Sequence, residues 1–241
     1  MSSNKVLITG GSGFIGSALK QRLSEEGVLF DCVIRDEMVE DSSRREGERR
    51  IRWPEGLSRI NFSEYSVVVH LAKAEGGTPE DEAEAYLRPV KILVEGIGAN
   101  PCTLVFLSSQ SASASAASGY GIGKWKIEEL LRQSSIHWVV IKPGLVVSRA
   151  GGGGLFGAIF AIVKRLPLVV VPRLEVQPVL IEDVVDQLVE VIRAPEKFSR
   201  KEIGLALAPR SLAGFVRDIG LELGVRRVAF SLPVSFFETV L

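Results

Sequence analysis

Tyr120 and Lys124 lie four residues apart in GYGIGKWKIEEL, so on a helix both side chains share one face, a turn apart. Tyrosine alone is a poor acid–base near neutrality, because its phenol pKa is about 10. A neighbouring ammonium favours the phenolate and lowers that value, so the pair could exchange a proton with a hydroxyl or carbonyl oxygen. Ser109 closes the run TLVFLSS at the C-terminal tip of an expected strand, where its hydroxyl could hydrogen-bond the same oxygen. Taken alone, a Tyr-x-x-x-Lys pair also fits a plain helix, with the tyrosine near its start and the lysine in water. Its weight depends on what else the chain supplies.

The N-terminal stretch KVLITGGSGFIGSAL supplies the rest. After the run KVLI at residues 5–8, Gly10, Gly13 and Gly16 fall at G-x-x-G-x-x-G spacing and a helical pattern begins. The chain there must turn off a strand, bring bare backbone against a pyrophosphate and open a helix whose N–H groups and dipole face the anion. A lone glycine triplet would read equally well as a turn. A strand before it and a helix after it, at the start of a βαβ pattern, make it a dinucleotide site. Lys124 would then hold the nicotinamide ribose as well as charge Tyr120. The second strand, residues 30–34, ends in Arg35 and Asp36. Arg35 suits a 2′-phosphate and favours NADP as cofactor; Asp36 could instead take the ribose diol of NAD.

The elements that must position these groups follow in order. Gly27 stops the first helix. Residues 36–56 are the most polar part, with Arg44, Arg45, Arg49, Arg50 and Arg52, and read as a solvated loop or helix with a short strand at 50–53 ended by Pro54. SVVVHL at 66–71 and TLVFL at 103–107 are too apolar for exposed edges, so they belong inside a parallel sheet. Between them Thr78 or Asp81 starts a helix that Pro89 interrupts or restarts. A helix from Tyr120 to Leu131 leads to a sixth strand, HWVVI. This alternation argues a doubly wound α/β sheet. Beyond Arg149 come four glycines (151–154), read as a mobile flap or a connector, then an apolar helix, a strand at 168–171, VLIEDVVDQLVEVI, a further strand and helix, and an apolar end that needs a docking surface.

The 241 residues carry 29 basic and 29 acidic side chains, which gives no reason to expect nucleic acid as a partner. Cys32, Cys102 and the two histidines make no zinc pattern, and no metal is expected. No apolar stretch is long enough to span a bilayer, and MSSNK runs straight into a strand, so a cytoplasmic chain is expected.

On these residues the chain resembles the short-chain dehydrogenase/reductase superfamily, in its extended NAD-dependent epimerase/dehydratase branch. The matching motifs are TGGSGFIG, VVVHLA, FLSS, YGIGK, KPGLVV and VLIEDVV, spread over residues 5–215. The resemblance implies a Rossmann-type sheet over residues 1–149 and a small C-terminal substrate-binding annex over 150–241, partly interleaved with it. It also implies that Gly10, Gly13, Phe14, Ile15 and Gly16 contact the pyrophosphate, and that Leu71, Ala72 and Lys73 line the adenosine–ribose path. Ser109, Tyr120 and Lys124 would be catalytic, and Pro143 would close over the nicotinamide. The activity implied is hydride transfer between nicotinamide and a hydroxyl or carbonyl carbon of a small molecule, such as a nucleotide sugar, by an epimerase, dehydratase or reductase. The alternative is a binding module without chemistry, structural or redox-sensing. A homodimer through the helices at 121–132 and 86–97 is a further expectation. Trp53-Pro54 stands where an acid commonly lies near the adenine, and the Ser109–Tyr120 gap is short, leaving less chain to wrap a sugar.

Overall fold

The computed structural model describes residues 5–36, 43–45, 47–74 and 76–238. The chain opens with β1 (Val6–Thr9), α1 (Phe14–Glu25), β2 (Phe30–Arg35), β3 (Ser43–Arg45), β4 (Glu48–Ile51) and β5 (Val67–His70). Then come α2 (Pro79–Ile97), β6 (Thr103–Leu107), α3 (Gly119–Gln133) and β7 (His137–Pro143). After these are β8 (Leu145–Val147), α4 (Gly154–Arg165), β9 (Leu168–Pro172), β10 (Glu175–Val176), β11 (Pro178–Leu180) and α5 (Ile181–Arg193). The last elements are α6 (Pro195–Phe198), β12 (Lys201–Leu205), β13 (Arg210–Ser211), α7 (Leu212–Glu222), β14 (Val228–Leu232) and α8 (Val234–Glu238). Two compact units result: the described residues up to Pro143 with Val185–Gly204, and Gly144–Val184 with those from Leu205 on.

In the first unit the strands form a sheet in the order β12-β7-β6-β5-β1-β2-β4-β3. From β1 the chain moves outward one way through β2 and β4, then the other way through β5, β6 and β7, so the order reverses between β1 and β5. That is the doubly wound arrangement expected, and its ligand crevice lies beyond the C-terminal ends of the strands at the reversal. The pairs β1–β2, β2–β4, β1–β5, β5–β6 and β6–β7 are all parallel. Register aligns Thr9 with His70, His70 with Phe106 and Phe106 with Val140, so the tips that carry the site residues stand in one row. Every residue of β1, β5 and β6 is buried, which is why these runs are apolar without alternation.

Two expectations change here. Part of the arginine-rich stretch is sheet: β3 pairs antiparallel with β4, and β4 joins β2 in parallel, two residues earlier than the strand expected at 50–53. Residues 37–42 and 46 of that stretch lie outside the described residues. Arg49 is not solvated. Its Nε donates to Asp31 Oδ2 at 3.1 Å and to Tyr65 Oη at 2.7 Å, and its Nη2 to Glu64 Oε2 at 2.6 Å. Nor does Pro89 break α2, which starts at the Thr78 N-cap and runs through it to Ile97. Burial of Tyr86, Leu87, Val90, Leu93 and Ile97 on one face outweighs the lost hydrogen bond. On the pair of helices expected at a dimer contact, Leu93, Ile127 and Leu131 are core, while Ile92 and Leu130 are only partly buried against it.

The second unit has its own core of Phe156, Val163, Val169, Val171, Leu212, Phe215, Val216 and Ile219. Among the described residues it contains three strand pairs: β8 with β11 and β9 with β14, both parallel, and β10 with β13, antiparallel. Pairing of β14 with β9 gives part of the apolar C-terminal segment its docking surface. Among the described residues no helix is long and apolar enough to cross a membrane.

Candidate active site

The glycine loop is shaped by contacts that a side chain would fill. Gly10 has φ +74°, and a Cβ there would lie 2.6 Å from Ala72 N and Leu71 C. A Cβ on Gly16 would lie 2.3 Å from Gly10 O, so the start of α1 rests directly on the turn. Gly13 N donates to Gly10 O at 3.0 Å and Ser17 N to Gly13 O at 2.8 Å. Gly13 caps α1 without any side-chain hydrogen bond. The first N–H groups of the helix, on Phe14, Ile15 and Gly16, have no partner within it. Bare backbone, uncapped amides and the helix dipole together fit a pyrophosphate.

The residues expected to flank the adenosine lie at the tips of β2 and β5. Arg35 Nη2 donates to Lys73 O at 2.7 Å, and its guanidinium lies 4.8 Å over the Trp53 ring. Asp36 pairs with Arg50 at 3.4 Å. Leu71 and Ala72 abut Gly10, and Leu71 N donates to Thr9 O at 3.0 Å. The structure thus gathers Arg35, Leu71, Ala72, Lys73 and the glycines at one end of the sheet. Trp53 also stacks on His70, whose ring in turn stacks on Phe106.

At the tip of β6 the residues expected to be catalytic, Ser109, Tyr120 and Lys124, come together. Ser109 stands near enough to Tyr120 to act on its phenol, and its Oγ is 2.9 Å from Ser111 Oγ. Lys124 is buried; its Nζ donates to Leu107 O at 2.6 Å and stands 5.6 Å from the Tyr120 ring centroid, with Tyr86 and Phe106 on its other sides. The expectation that Lys124 lowers the Tyr120 pKa differs from what this arrangement gives. Burial raises it, and the nearby Ser109 hydroxyl is the influence that opposes. Burial also brings Lys124 down to about 7, against the pull of Glu128. Pro143 ends β7, its carbonyl accepting from Gln110 N at 3.1 Å.

Three polar groups at this end were given no role from the sequence: Ser108, Glu128 and Lys142. Glu128 is buried, with Oε1 accepting from Ser108 Oγ at 2.5 Å and Oε2 from Lys142 Nζ at 2.8 Å. Its spacing held the signal, since positions 120, 124 and 128 fall on one helix face.

A glycine cradle that fits a pyrophosphate, with Ser109 at a neighbouring strand tip and Tyr120 and Lys124 on α3, defines a dinucleotide-dependent enzyme of the doubly wound α/β class. Residues 6–203 match the NAD dependent epimerase/dehydratase family, and the chain belongs to that family. It is an enzyme of this NAD(P)-dependent type, not the module without chemistry. The fold is similar to that of UDP-glucuronic acid 4-epimerase from Bacillus cereus, solved with UDP-glucuronic acid and NAD. The TM-score is 0.72 at 18% identity, with 95% of this chain and 86% of that one covered. UDP-glucose 4-epimerase from Thermus thermophilus, solved with NAD, gives 0.73 at 20% identity, covering 95% and 86%. The Thermotoga maritima UDP-glucose 4-epimerase with UDP-glucose gives 0.71 at 19%, with the same coverage. No curated protein matches the chain in sequence.

Proposed function

We propose that the protein interconverts a hydroxyl and a carbonyl carbon of a nucleotide sugar, with Ser109, Tyr120 and Lys124 as the reacting group. The observation that carries this reading is the buried Lys124, 5.6 Å from the Tyr120 ring and with Ser109 nearby, at the same end of the sheet as the glycine loop. When bound, NAD(P) supplies the carbon that gives or accepts a hydride. Tyr120 exchanges the proton of the substrate oxygen at its Oη, and Ser109 holds that oxygen by a hydrogen bond. With its pKa raised, Tyr120 rests as the phenol, ready to donate; in the opposite direction the Ser109 hydroxyl, which lowers that pKa, favours the phenolate. The nucleotide-sugar class is supported by UDP-glucose and UDP-glucuronic acid in the similar structures, and by the share of their length that this chain spans. Gly10, Gly13, Phe14, Ile15 and Gly16 hold the pyrophosphate; Arg35, Leu71, Ala72 and Lys73 hold the adenosine end, with NADP preferred. The second unit serves as the substrate-binding annex.

Incubation with UDP-glucose, UDP-glucuronic acid and simple carbonyls, each with NAD(H) and NADP(H), tests the reading. Turnover of a nucleotide sugar is expected, and Tyr120→Phe should lower kcat about 10²–10⁴-fold while cofactor affinity holds. Wild-type protein that binds the cofactor but turns over none of these sugars would overturn it.

A further inference from the structure

Glu128 is a buried carboxylate that the proposed chemistry does not use. It is 1% exposed, and each oxygen is engaged: Oε1 by Ser108 Oγ at 2.5 Å, Oε2 by Lys142 Nζ at 2.8 Å and Arg132 Nη2 at 3.2 Å. A buried ion is costly unless well paired, and removing one partner leaves the others uncompensated. Its partners are neighbours of site residues. Ser108 directly precedes Ser109 at the tip of β6, and Lys142 directly precedes Pro143 at the tip of β7. Backbone bonds from Ser108 N to Ile141 O at 2.8 Å and from Gln110 N to Pro143 O at 3.1 Å join the same two tips. Glu128 itself sits one turn beyond Lys124 and two beyond Tyr120, on their face of α3.

We propose that Glu128 is a positioning residue: its carboxylate ties the tips of β6 and β7 to α3, fixing Ser109, Tyr120 and Lys124 for the nicotinamide half of the cofactor. This rests on the function proposed above. Besides its geometry, Glu128 supports the charge of Lys124. That ammonium is faced by Tyr120 and Glu128 from α3, Tyr86 from α2, His70 from β5 and the Leu107 carbonyl from β6. Burial depresses the Lys124 pKa and the Glu128 charge raises it, so without Glu128, Lys124 loses its proton at lower pH.

The test compares each reduced dinucleotide with its own adenosine half, NADH with 5′-AMP and NADPH with 2′,5′-ADP, by equilibrium binding to the full chain. In Glu128→Gln, dinucleotide affinity should fall about tenfold or more, while the adenosine halves change by less than about twofold. The pH above which dinucleotide binding declines should also move lower. If Glu128→Gln does not fold, Ser108→Ala carries the test. It should cut the dinucleotide advantage and leave the pH midpoint in place. A variant that keeps the wild-type advantage and pH profile, or loses both ligands equally, overturns the proposal. Wild-type protein binding a dinucleotide no better than its adenosine half would instead overturn the nicotinamide site itself, a distinct failure.

Discussion

At the scale of single residues, the proposed choice of cofactor turns on Arg35 and Asp36 at the tip of β2. The Asp36 carboxylate is drawn to Arg50 at 3.4 Å, which competes with any ribose diol. Arg35 is exposed, yet it is steadied by the Trp53 ring at 4.8 Å and by Lys73 O at 2.7 Å, which hold a cation beside the expected ribose. A 2′-phosphate there gains a charge-assisted hydrogen bond, worth about 1.5–3 kcal/mol, so NADPH should bind at least about tenfold more tightly than NADH. Arg35→Ala should erase most of that difference in a binding titration, chiefly by weakening NADPH. Equal affinities of the wild type for both cofactors would show that Arg35 serves only to hold the Lys73 and Trp53 segments together.

Among elements, the decisive contact is α2 against α3, because α3 carries Tyr120 and Lys124. Glycines allow it: a Cβ on Gly123 would lie 2.9 Å from Tyr86 Cβ and 3.1 Å from Ala83 Cα, and one on Gly119 would lie 2.3 Å from Pro79 O. Alanine at Gly123 would gain about 1 kcal/mol of helix propensity, but overpacking against atoms that cannot swing away costs about 1–3 kcal/mol. Gly123→Ala should therefore be destabilised by about 1 kcal/mol in denaturant unfolding and should lose turnover as α3 shifts; a gain in stability would mean that α2 yields freely. In the sequence, YGIGK was legible as chemistry through Tyr120 and Lys124, while the glycines between them showed no purpose until α2 was in place. The same limit explains the other departures. Continuous apolar runs declared β1, β5, β6 and β7, because strands buried on both faces need no alternation. Arg49 looked solvated since Asp31, Glu64 and Tyr65 are distant in sequence, and Glu128 drew no reading since Ser108 and Lys142 reach it only through the sheet. Local pattern reports propensity and period, whereas pairing of buried charges is set by the fold.

For the molecule as a whole, the groups it buries decide how it answers acid. His70 lies at the tip of β5, its Nδ1 2.8 Å from Thr9 Oγ1 and its ring between Trp53 and Phe106. Burial first, then the charges of Lys124 and Arg35, bring its pKa from 6.5 down to about 3. The unfolded chain therefore takes up a proton that the folded chain refuses. This contribution to stability is complete above pH 6.5 and is lost as pH falls towards 3. Asp31 acts in the same sense at lower pH. Burial raises its pKa, but hydrogen bonds from Lys5 and Tyr65 and the charges of Lys5 and Arg49 hold it below the usual value, so its window opens under about pH 3.9. Lys124, held by burial at about 7, changes its charge only near and above neutrality. Among these three groups, the slope between about pH 6.5 and 4.5 thus belongs to His70, at one proton or ~1.4 kcal/mol per pH unit. Trp53, Trp125 and Trp138 are the chain's three tryptophans and all lie in the first unit, so their fluorescence follows the unit that holds His70. Urea unfolding read this way should show the wild type weakening by about 1 kcal/mol per pH unit below about 6.5. His70→Asn, which keeps a hydrogen-bonding partner for Thr9 but cannot titrate, should start less stable at pH 7.5 and then stay nearly level to about pH 4.5. Parallel slopes for the two proteins would place the acid response on other groups and leave His70 as a packing residue alone.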